Sequence, residues 1–375
     1  MKISFVIQDL CGEGAEYATA LMVRGFCARG YEVDLLLSQV HKMNVESGEV
    51  PFDIPSETNI IMLPSLKARY NIIALRRYLK TTNSNAVVAM SGNYETALAL
   101  ASIGLLRCPK LYTVEHGIRF ALDANCQYAE KAPWWDSERL RRRFIYHFYT
   151  GILAVSSGVK RELIRMYDLP QGKISVVYNP VVDEVFDAKI TMGARHPWLI
   201  DKKCVTIVSA GTLSQAKDHR TLLEAVRRIN VDGELRLIIF GEGPYRSEYE
   251  CFIKSNKLED WVSLPGFTNN LPAEVKAADG YVSSSKLESF GIAIVEALAC
   301  GVPVVSTDAP CGPSEILEDG KNGLLVATGD VDGLVSALYK LIQNKVSKPV
   351  PDSWRRYKLN NIVVLYEEAI GLHQK

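Results

Sequence analysis

The chain lacks the features that identify several large classes of protein. Its eight cysteines stand singly, without a Cys-x-x-Cys motif or histidines at metal-ligand spacing, so we expect a reduced cytosolic protein without structural zinc. No uncharged apolar run approaches about 18 residues, and the run after Lys2 is too short for a signal-peptide core. These absences predict a chain that neither spans a membrane nor leaves the cell by a standard signal.

An excess of charge of either sign is also missing. The 375 residues include 43 basic and 43 acidic side chains, which cancel, so we do not expect nucleic acid as a partner. A hydrophobic content of 47% is ordinary for a globular protein. The chain is longer than the roughly 250–300 residues that a single core serves, and this length predicts two domains.

The chain does contain two glutamates that packing does not explain, Glu288 and Glu296. Every residue from Ile292 to Cys300 is apolar except Glu296, so this segment predicts a helix that is buried nearly all round and whose one charge needs a partner. A ligand hydroxyl would be one. Glu288 precedes the helix start, where free backbone N–H groups favour an anion such as phosphate.

The limits of this helix follow from residue types at its two ends. It should begin near Phe290 or Gly291, with Ser289 as N-cap, and end at Gly301, since glycine closes helices in the left-handed conformation. The Val-Pro-Val-Val that follows predicts a buried strand.

The residues around the two glutamates resemble a motif of retaining GT-B glycosyltransferases of family 4. Ser-Phe-Gly follows Glu288, seven residues separate it from Glu296, and Ala-x-Ala-Cys-Gly-x-Pro-Val-Val comes next. The resemblance implies an α/β fold of two Rossmann-like parallel-sheet domains facing across a cleft. It also implies that Glu296 binds the donor ribose, that Glu288 contacts the transferred sugar, and that backbone amides hold sugar and pyrophosphate. Those amides belong to Phe290, Gly291 and Ile292.

The same resemblance divides the chain. It implies an N-terminal acceptor-binding domain over residues 1–183 and a C-terminal nucleotide-sugar-binding domain over residues 184–354. A terminal helix at about 355–375 should cross back onto the first domain. The boundary should lie in an irregular segment between Asp183 and Lys203.

Two candidate residues lie in the first half. The strand Lys2–Ile7 leads through a glycine-containing turn into a helix, a place where doubly wound folds bind phosphates. The family's loop carries over to Gly14 and more loosely to Gly12, although a purely structural tight turn explains the glycines as well. His116 follows a predicted strand, where it could contact the sugar or acceptor, as in the family, or simply be a hydrogen-bonded structural residue.

Further candidates lie in the second half. Lys217 matches a family lysine that neutralises donor phosphate, but Thr212 replaces the family's companion arginine. Arg246 or Lys286 could substitute, and Lys217 could also be an ordinary surface lysine. The resemblance further implies that backbone atoms of two turns contact the nucleotide base. These turns contain Gly241, Gly243 and Phe267.

Two stretches combine basic and apolar side chains. Residues 67–80 contain five basic residues and no acid, and Trp134-Trp135 is followed by Arg139, Arg141, Arg142, Arg143 and several aromatic residues. Such composition suits an anionic membrane surface, and it equally suits solvated helix faces with aromatic residues in the core.

Taken with the resemblance, these features predict a retaining glycosyltransferase that needs no metal and no cofactor beyond its nucleotide-sugar substrate. The donor would be a hexose or N-acetylhexosamine, UDP-linked in most of the family. The acceptor would be a glycan, in particular a lipid-linked saccharide of bacterial surface polysaccharide, reached from the cytoplasm at the inner face of the membrane. The alternatives are a GT-B nucleotide-sugar epimerase and a catalytically idle sugar-nucleotide-binding protein, which Thr212 favours.

Overall fold

The structure, a computed structural model, describes residues 1–10, 14–38, 54–117, 137–229 and 235–372. They form two compact units, each with its own sheet. The first takes the described residues up to Pro180 together with those from Leu359, and the second runs from Val181 to Lys358. Gly12, the loop at 118–132 and Trp134-Trp135 lie outside the described residues.

Strands and helices alternate along the described chain. The strands are β1 (Lys2–Ile7), β2 (Glu32–Leu37), β3 (Asn59–Met62), β4 (Ala86–Ala89), β5 (Lys110–Glu115), β6 (Gly151–Ala154), β7 (Ile174–Val176), β8 (Val205–Ala210), β9 (Leu235–Phe240), β10 (Val262–Gly266), β11 (Gly280–Ser283), β12 (Val304–Thr307) and β13 (Leu324–Val326). The helices are α1 (Gly14–Ala28), α2 (Ile72–Thr81), α3 (Gly92–Ser102), α4 (Ser137–His147), α5 (Ser157–Tyr167), α6 (Glu184–Thr191), α7 (Pro197–Ile200), α8 (His219–Ile229), α9 (Arg246–Ser255), α10 (Leu271–Ala277), α11 (Ile292–Cys300), α12 (Pro313–Ile316), α13 (Val331–Ile342) and α14 (Leu359–Ile370).

The first unit contains a parallel sheet of order β3-β2-β1-β4-β5-β6-β7. The chain steps from β1 to β2 in one direction and from β4 through β5 to β6 in the other, so right-handed crossovers place α1 on one face and α3 and α4 on the opposite face. The connection from β3 to β4 runs in the second direction, which puts α2 beside α3. The terminal helix α14 packs against α1, where Glu367 pairs with Arg29 at 2.8 Å.

The second unit contains a parallel sheet of order β10-β9-β8-β11-β12-β13. Its strands are short apolar runs because helices cover both faces, as all-parallel sheets require. A core of aliphatic and aromatic residues from β8, β9, α8, α9 and α13 fills one side. The fold class expected from the sequence is confirmed: the chain is α/β, with two Rossmann-like parallel sheets.

The segment between Asp183 and Lys203 differs from the sequence prediction. It was expected to be irregular, but it contains α6 and α7. The Asp183 carboxylate caps α6 by accepting from the N–H of Phe186 at 2.8 Å, and Pro197 occupies the first turn of α7. Both are local signals that start helices.

The arginines of α4 also differ from expectation, because two of them are interior. Arg142 is 3% exposed and lies 3.4 Å from Glu95 and 3.7 Å from Glu115. It donates to the Tyr146 hydroxyl at 2.8 Å, which in turn donates to Glu115 at 3.0 Å. Arg139 is buried as well and pairs with Asp168. The hypothesis that these two arginines face a membrane is therefore wrong.

Replacing Arg142 by Leu should destabilise the first unit by about 3–5 kcal/mol, since two buried carboxylates would lose their cation. Arg143→Leu is the matched control on the same helix: its side chain is 58% exposed, so we expect a loss below about 1 kcal/mol. The measurement is thermal and urea unfolding followed by tryptophan fluorescence and circular dichroism. Equal losses in the two variants would contradict the interior role of Arg142.

Candidate functional site

Two loops of the second unit bind each other through their backbones. The N–H groups of Lys286 and Leu287 both donate to the carbonyl of Ala216, at 2.8 and 3.2 Å. This contact places the Lys217 ammonium against the Glu288 carboxylate, to which it donates, and both side chains are half-buried. The structure thus brings together two of the predicted catalytic residues.

Glycines permit this close packing on the neighbouring strand ends. A Cβ on Gly241 would lie 2.1 Å from the carbonyl oxygen of Gly211, and one on Gly243 would lie 2.4 Å from that of Leu213. A Cβ on Gly211 would lie 3.3 Å from the side chain of Lys217. Packing between the loops after β8 and β9 therefore explains Gly241 and Gly243, and their predicted role beside a nucleotide base stays a prediction.

Helix α11 begins one residue later than its side chains suggested. Its N-cap is Gly291, with φ of 113° and no side-chain capping bond, so Ser289 is not the N-cap. The left-handed conformation requires glycine here. The N–H groups of Ile294 and Val295 donate to the Gly291 carbonyl, so the N–H groups of Ile292 and Ala293 are the ones at this end that are suited to an anion. The predicted end at Gly301 is confirmed, with φ of 69°.

Phe290 reaches the candidate site only through its backbone. Its side chain is 3% exposed and packs edge-on against Tyr357, with ring centroids 5.4 Å apart. The backbone of Gly312 packs directly against the backbone of Phe290. A Cβ on Gly312 would lie 1.9 Å from the Phe290 carbonyl oxygen, so this close contact needs glycine. The sequence predicted a role for the backbone amide of Phe290, but it did not predict the contact between Phe290 and Gly312.

Glu296 lies on the less buried side of α11. That side also carries Ile292, Ala293 and Ala299, so the helix is not buried all round as predicted. Glu296 makes no hydrogen bond or ion pair with any described residue. Burial raises the pKa of its carboxyl to about 7, and the positive charge of Lys189 opposes this rise. A half-buried carboxyl without a partner among the described residues is a group that a ligand with hydroxyl groups would stabilise.

Two concave surfaces lie on the same unit. One has a volume of about 410 Å³ and is lined by α6, including Lys189, together with Arg195, Asn269 and Asn270. The charge of Lys189, one of its lining residues, also acts on Glu296. The other, of about 610 Å³, is lined by Phe240, Pro265 and Phe267, whose ring is 70% exposed. Sequence reasoning missed Lys189 because it lies in the segment that was expected to be irregular.

The two proposed substitutes for the family arginine differ in their partners. Arg246 is held by the carboxylates of Glu242 and Glu250, each at 2.7 Å, and therefore does not serve as a spare cation. Lys286 lies 3.1 Å from Asp218. Both of the side chains proposed as a second cation are therefore already paired with carboxylates.

The remaining candidates belong to the first unit. His116 directly follows β5, and burial lowers the pKa of its imidazole to about 4, so it is neutral at pH 7. Its Nε2 atom is buried and has no hydrogen-bond partner in the part of the chain that is described. Gly14 is the first residue of α1. The roles of both residues stay predictions.

Searches for two other kinds of feature covered the described ranges only. They contain no group of three or more His, Cys, Asp or Glu side chains arranged to hold a metal ion. No helix in them combines the length and apolar character that crossing a membrane requires.

Two family descriptions match adjoining parts of the chain. Residues 12–185 match Glycosyltransferase Family 4, and residues 194–360 match Glycosyl transferases group 1. The chain belongs to the group 1 and family 4 glycosyltransferases. The second match contains the Glu288-x7-Glu296 motif and Lys217, which are the residues that carried the resemblance in the sequence.

Two relatives are 30% and 25% identical to this family member over the residues that align. The N-acetylgalactosamine-N,N'-diacetylbacillosaminyl-diphospho-undecaprenol 4-alpha-N-acetylgalactosaminyltransferase of Campylobacter jejuni is 30% identical over 193 residues, which cover 52% of this chain and 51% of that protein. Lipopolysaccharide 1,6-galactosyltransferase of Salmonella typhimurium is 25% identical over 293 residues, which cover 76% and 73%. Against several of these relatives, the match spans about half of their length.

Solved structures match over nearly the whole chain. A glycosyltransferase from Rickettsia africae has a TM-score of 0.76 at 17% identity, covering 98% of this chain and 97% of that one. HepE of Anabaena, in complex with UDP and glucose, has a TM-score of 0.75 at 21% identity, covering 99% of each. At these identities the likeness shows the fold alone.

Replacing Glu296 by Gln should stabilise the protein at pH 8 and change little at pH 4.5. The pKa of the Glu296 carboxyl is about 7 in the folded protein and 4.5 in the unfolded chain, so the folded protein binds this proton more tightly. The free energy of unfolding of the wild type therefore falls as pH rises from 4.5 to 7. Gln does not titrate and should avoid a loss of up to about 3 kcal/mol. Unfolding midpoints across this pH range test the shift. A difference between the proteins that is constant with pH would contradict it.

Proposed function

We propose that this family member transfers a hexose or N-acetylhexosamine from a UDP-sugar to a glycan acceptor with retention of anomeric configuration. The observation that carries the proposal is the arrangement on the second unit. Glu296, whose carboxyl has no partner among the described residues, lies on α11, and no side chain caps the N-terminus of that helix. The Lys217–Glu288 pair lies beside this N-terminus.

Each part of this arrangement suits one part of a nucleotide sugar. The Glu296 carboxylate would accept hydrogen bonds from ribose hydroxyls. The amides of Gly291 and Ile292, with the Lys217 ammonium, would hold the pyrophosphate, whose negative charge grows as its bond to the sugar breaks. Glu288 would contact the sugar itself. The Anabaena protein HepE, which has a similar fold, holds UDP in its solved structure, and this supports a uridine donor in the proposal.

The reaction would need no metal and no cofactor. Charge on the leaving diphosphate would be met by Lys217 and by the helix amides, which are already in place before reaction. Since Thr212 stands where the family has an arginine, the lysine and the amides would carry a larger share of that charge. The acceptor hydroxyl would form a bond to the anomeric carbon as the bond from that carbon to UDP breaks, and its proton would pass to the departing diphosphate. His116, neutral at pH 7, would contact acceptor or sugar.

The acceptor we propose is a lipid-linked saccharide used in bacterial surface polysaccharide or glycan assembly. Named relatives from Campylobacter and Salmonella act on an undecaprenol-diphosphate saccharide and on lipopolysaccharide. An enzyme for such an acceptor would work in the cytoplasm at the inner face of the membrane, where the lipid carrier is accessible.

Glu296→Ala and Glu288→Gln should have different kinetic consequences. Loss of the Glu296 carboxylate should weaken UDP binding by about tenfold or more, since hydrogen bonds to a charged group contribute roughly 1.5–3 kcal/mol. Glu288→Gln should lower kcat by about 100-fold while changing UDP affinity by less than about threefold, because its contact is with the reacting sugar. Calorimetry with UDP and transfer rates with a panel of UDP-sugars make the comparison.

Glu259→Ala provides the control, because Glu259 is exposed on the same unit and belongs to neither loop. It should match wild type in both assays. Equal losses of UDP affinity in Glu296→Ala and Glu288→Gln would show that the assigned roles are wrong. If wild-type protein binds none of the nucleotides and transfers no sugar, the proposed function fails.

A further inference from the structure

The first unit exposes apolar side chains on one layer of helices. They lie on α2 and the turn before it, at the end of α3, and on α4, and each is between 37% and 104% exposed. We call this surface the α2–α4 face, and its apolar members are Leu66, Tyr70, Ile73, Leu100, Ile103, Leu106, Leu140 and Phe144. Exposed apolar groups gathered in one region of a protein commonly mark an interaction surface.

Hydrogen bonds show that these helices adjoin. Arg76 of α2 donates to the carbonyls of Ala101 and Ile103, at 2.9 and 2.6 Å, and so closes the C-terminal end of α3. Arg141 of α4 donates to the Thr96 hydroxyl of α3 at 2.8 Å. The helices pack in the order α2, α3, α4 on the same face of their sheet, opposite α1 and α14. The α2–α4 face is therefore one surface.

On α2, α3 and the turns beside them, the exposed charged side chains are of one sign. The exposed basic residues of the α2–α4 face are Lys67, Arg69, Arg77, Lys80, Arg107 and Arg141. Between Asn59 and Val114 the one acid is Glu95, which is 1% exposed and lies beside the interior Arg142. Asp168, which follows α5, pairs with Arg139 and Arg143 at the border of α4.

We propose that the α2–α4 face docks onto the surface of an anionic lipid bilayer. Its apolar side chains would enter the headgroup region, and its basic side chains would lie against lipid phosphates. The inference deepens the proposed function, since a lipid-linked acceptor would be reached from such a position, but its observations come from the first unit alone. A second copy of the chain fits the face less well, because two surfaces of the same positive sign would repel.

Two variants test the apolar and the basic parts separately. Leu66→Asn, Tyr70→Asn and Ile73→Asn together remove three apolar side chains that are each more than half exposed, so folding should be little affected. Arg77→Gln with Lys80→Gln removes two charges. The matched control is Val364→Asn with Leu365→Asn, two exposed residues of α14 on the opposite side of the same sheet.

Binding is measured by co-sedimentation with vesicles of phosphatidylcholine that contain about 30% phosphatidylglycerol, an anionic content at which surface charge matters. Wild type and the α14 control should bind at low salt and be released as salt increases. The apolar variant should bind at least about tenfold more weakly. Loss of two charges should weaken binding roughly 30-fold, at about fivefold for each charge. Pure phosphatidylcholine vesicles should bind poorly.

Failure of wild type to bind anionic vesicles at low salt would overturn the proposal, and so would unchanged binding by both variants. Self-association of wild type that the apolar variant abolishes, seen by analytical ultracentrifugation, would identify a second copy as the occupant instead. Titration of UDP into the same proteins keeps the two proposals apart. If wild type binds UDP but not the anionic vesicles, only the docking surface is overturned. If wild type binds the vesicles but not UDP, only the proposed function is overturned.

Discussion

The candidate site depends on one carbonyl oxygen, that of Ala216, which accepts hydrogen bonds from two successive N–H groups of the Glu288 loop. This contact joins loops that are about seventy residues apart in sequence and fixes Lys217 against Glu288. Backbones must approach closely for such a contact to form. For that reason the neighbouring strand ends carry glycines, and a side chain on Gly241 or Gly243 would overlap the loop after β8. Packing of strand ends thus comes first, and the arrangement of charged groups is its consequence.

The two glutamates of the motif differ in whether a partner already stabilises their negative charge. Glu288 already has a cation, so a ligand phosphate that takes Lys217 must compete with an existing pair. Glu296 has no partner among the described residues, and burial raises its pKa to about 7. A ligand hydroxyl at Glu296 would therefore replace an unfavourable state, whereas a phosphate at Lys217 would exchange one favourable interaction for another. On this argument the Glu296 carboxyl supplies more of the net affinity for a nucleotide. The Lys217–Glu288 pair instead supplies charge beside the diphosphate and the sugar.

Much of this fold was predictable, because short apolar runs separated by amphipathic segments specify parallel strands and helices directly. The strand at Lys2–Ile7 and the helix end at Gly301 agree with the sequence prediction. The start of α11 was not predictable from side-chain caps, since Gly291 begins the helix through its backbone conformation. The packing of Gly312 against Phe290 and the influence of Lys189 on Glu296 depend on tertiary contacts, which leave no local pattern in the sequence.

The arginines of α4 show why composition alone gave a wrong prediction of which side chains face the solvent. Residues 139, 142, 145, 146 and 149 recur at helical spacing and are all buried, so Arg139 and Arg142 share a stripe with Ile145 and two tyrosines. Arg141 and Phe144 lie on the other side and are exposed. The spacing was readable in the sequence, but assigning the charged stripe to the interior required knowing that Glu95, Glu115 and Asp168 come from other elements to pair with it. Apart from those pairs, α2 and the end of α3 carry exposed basic side chains, and the one acid between Asn59 and Val114 is the buried Glu95.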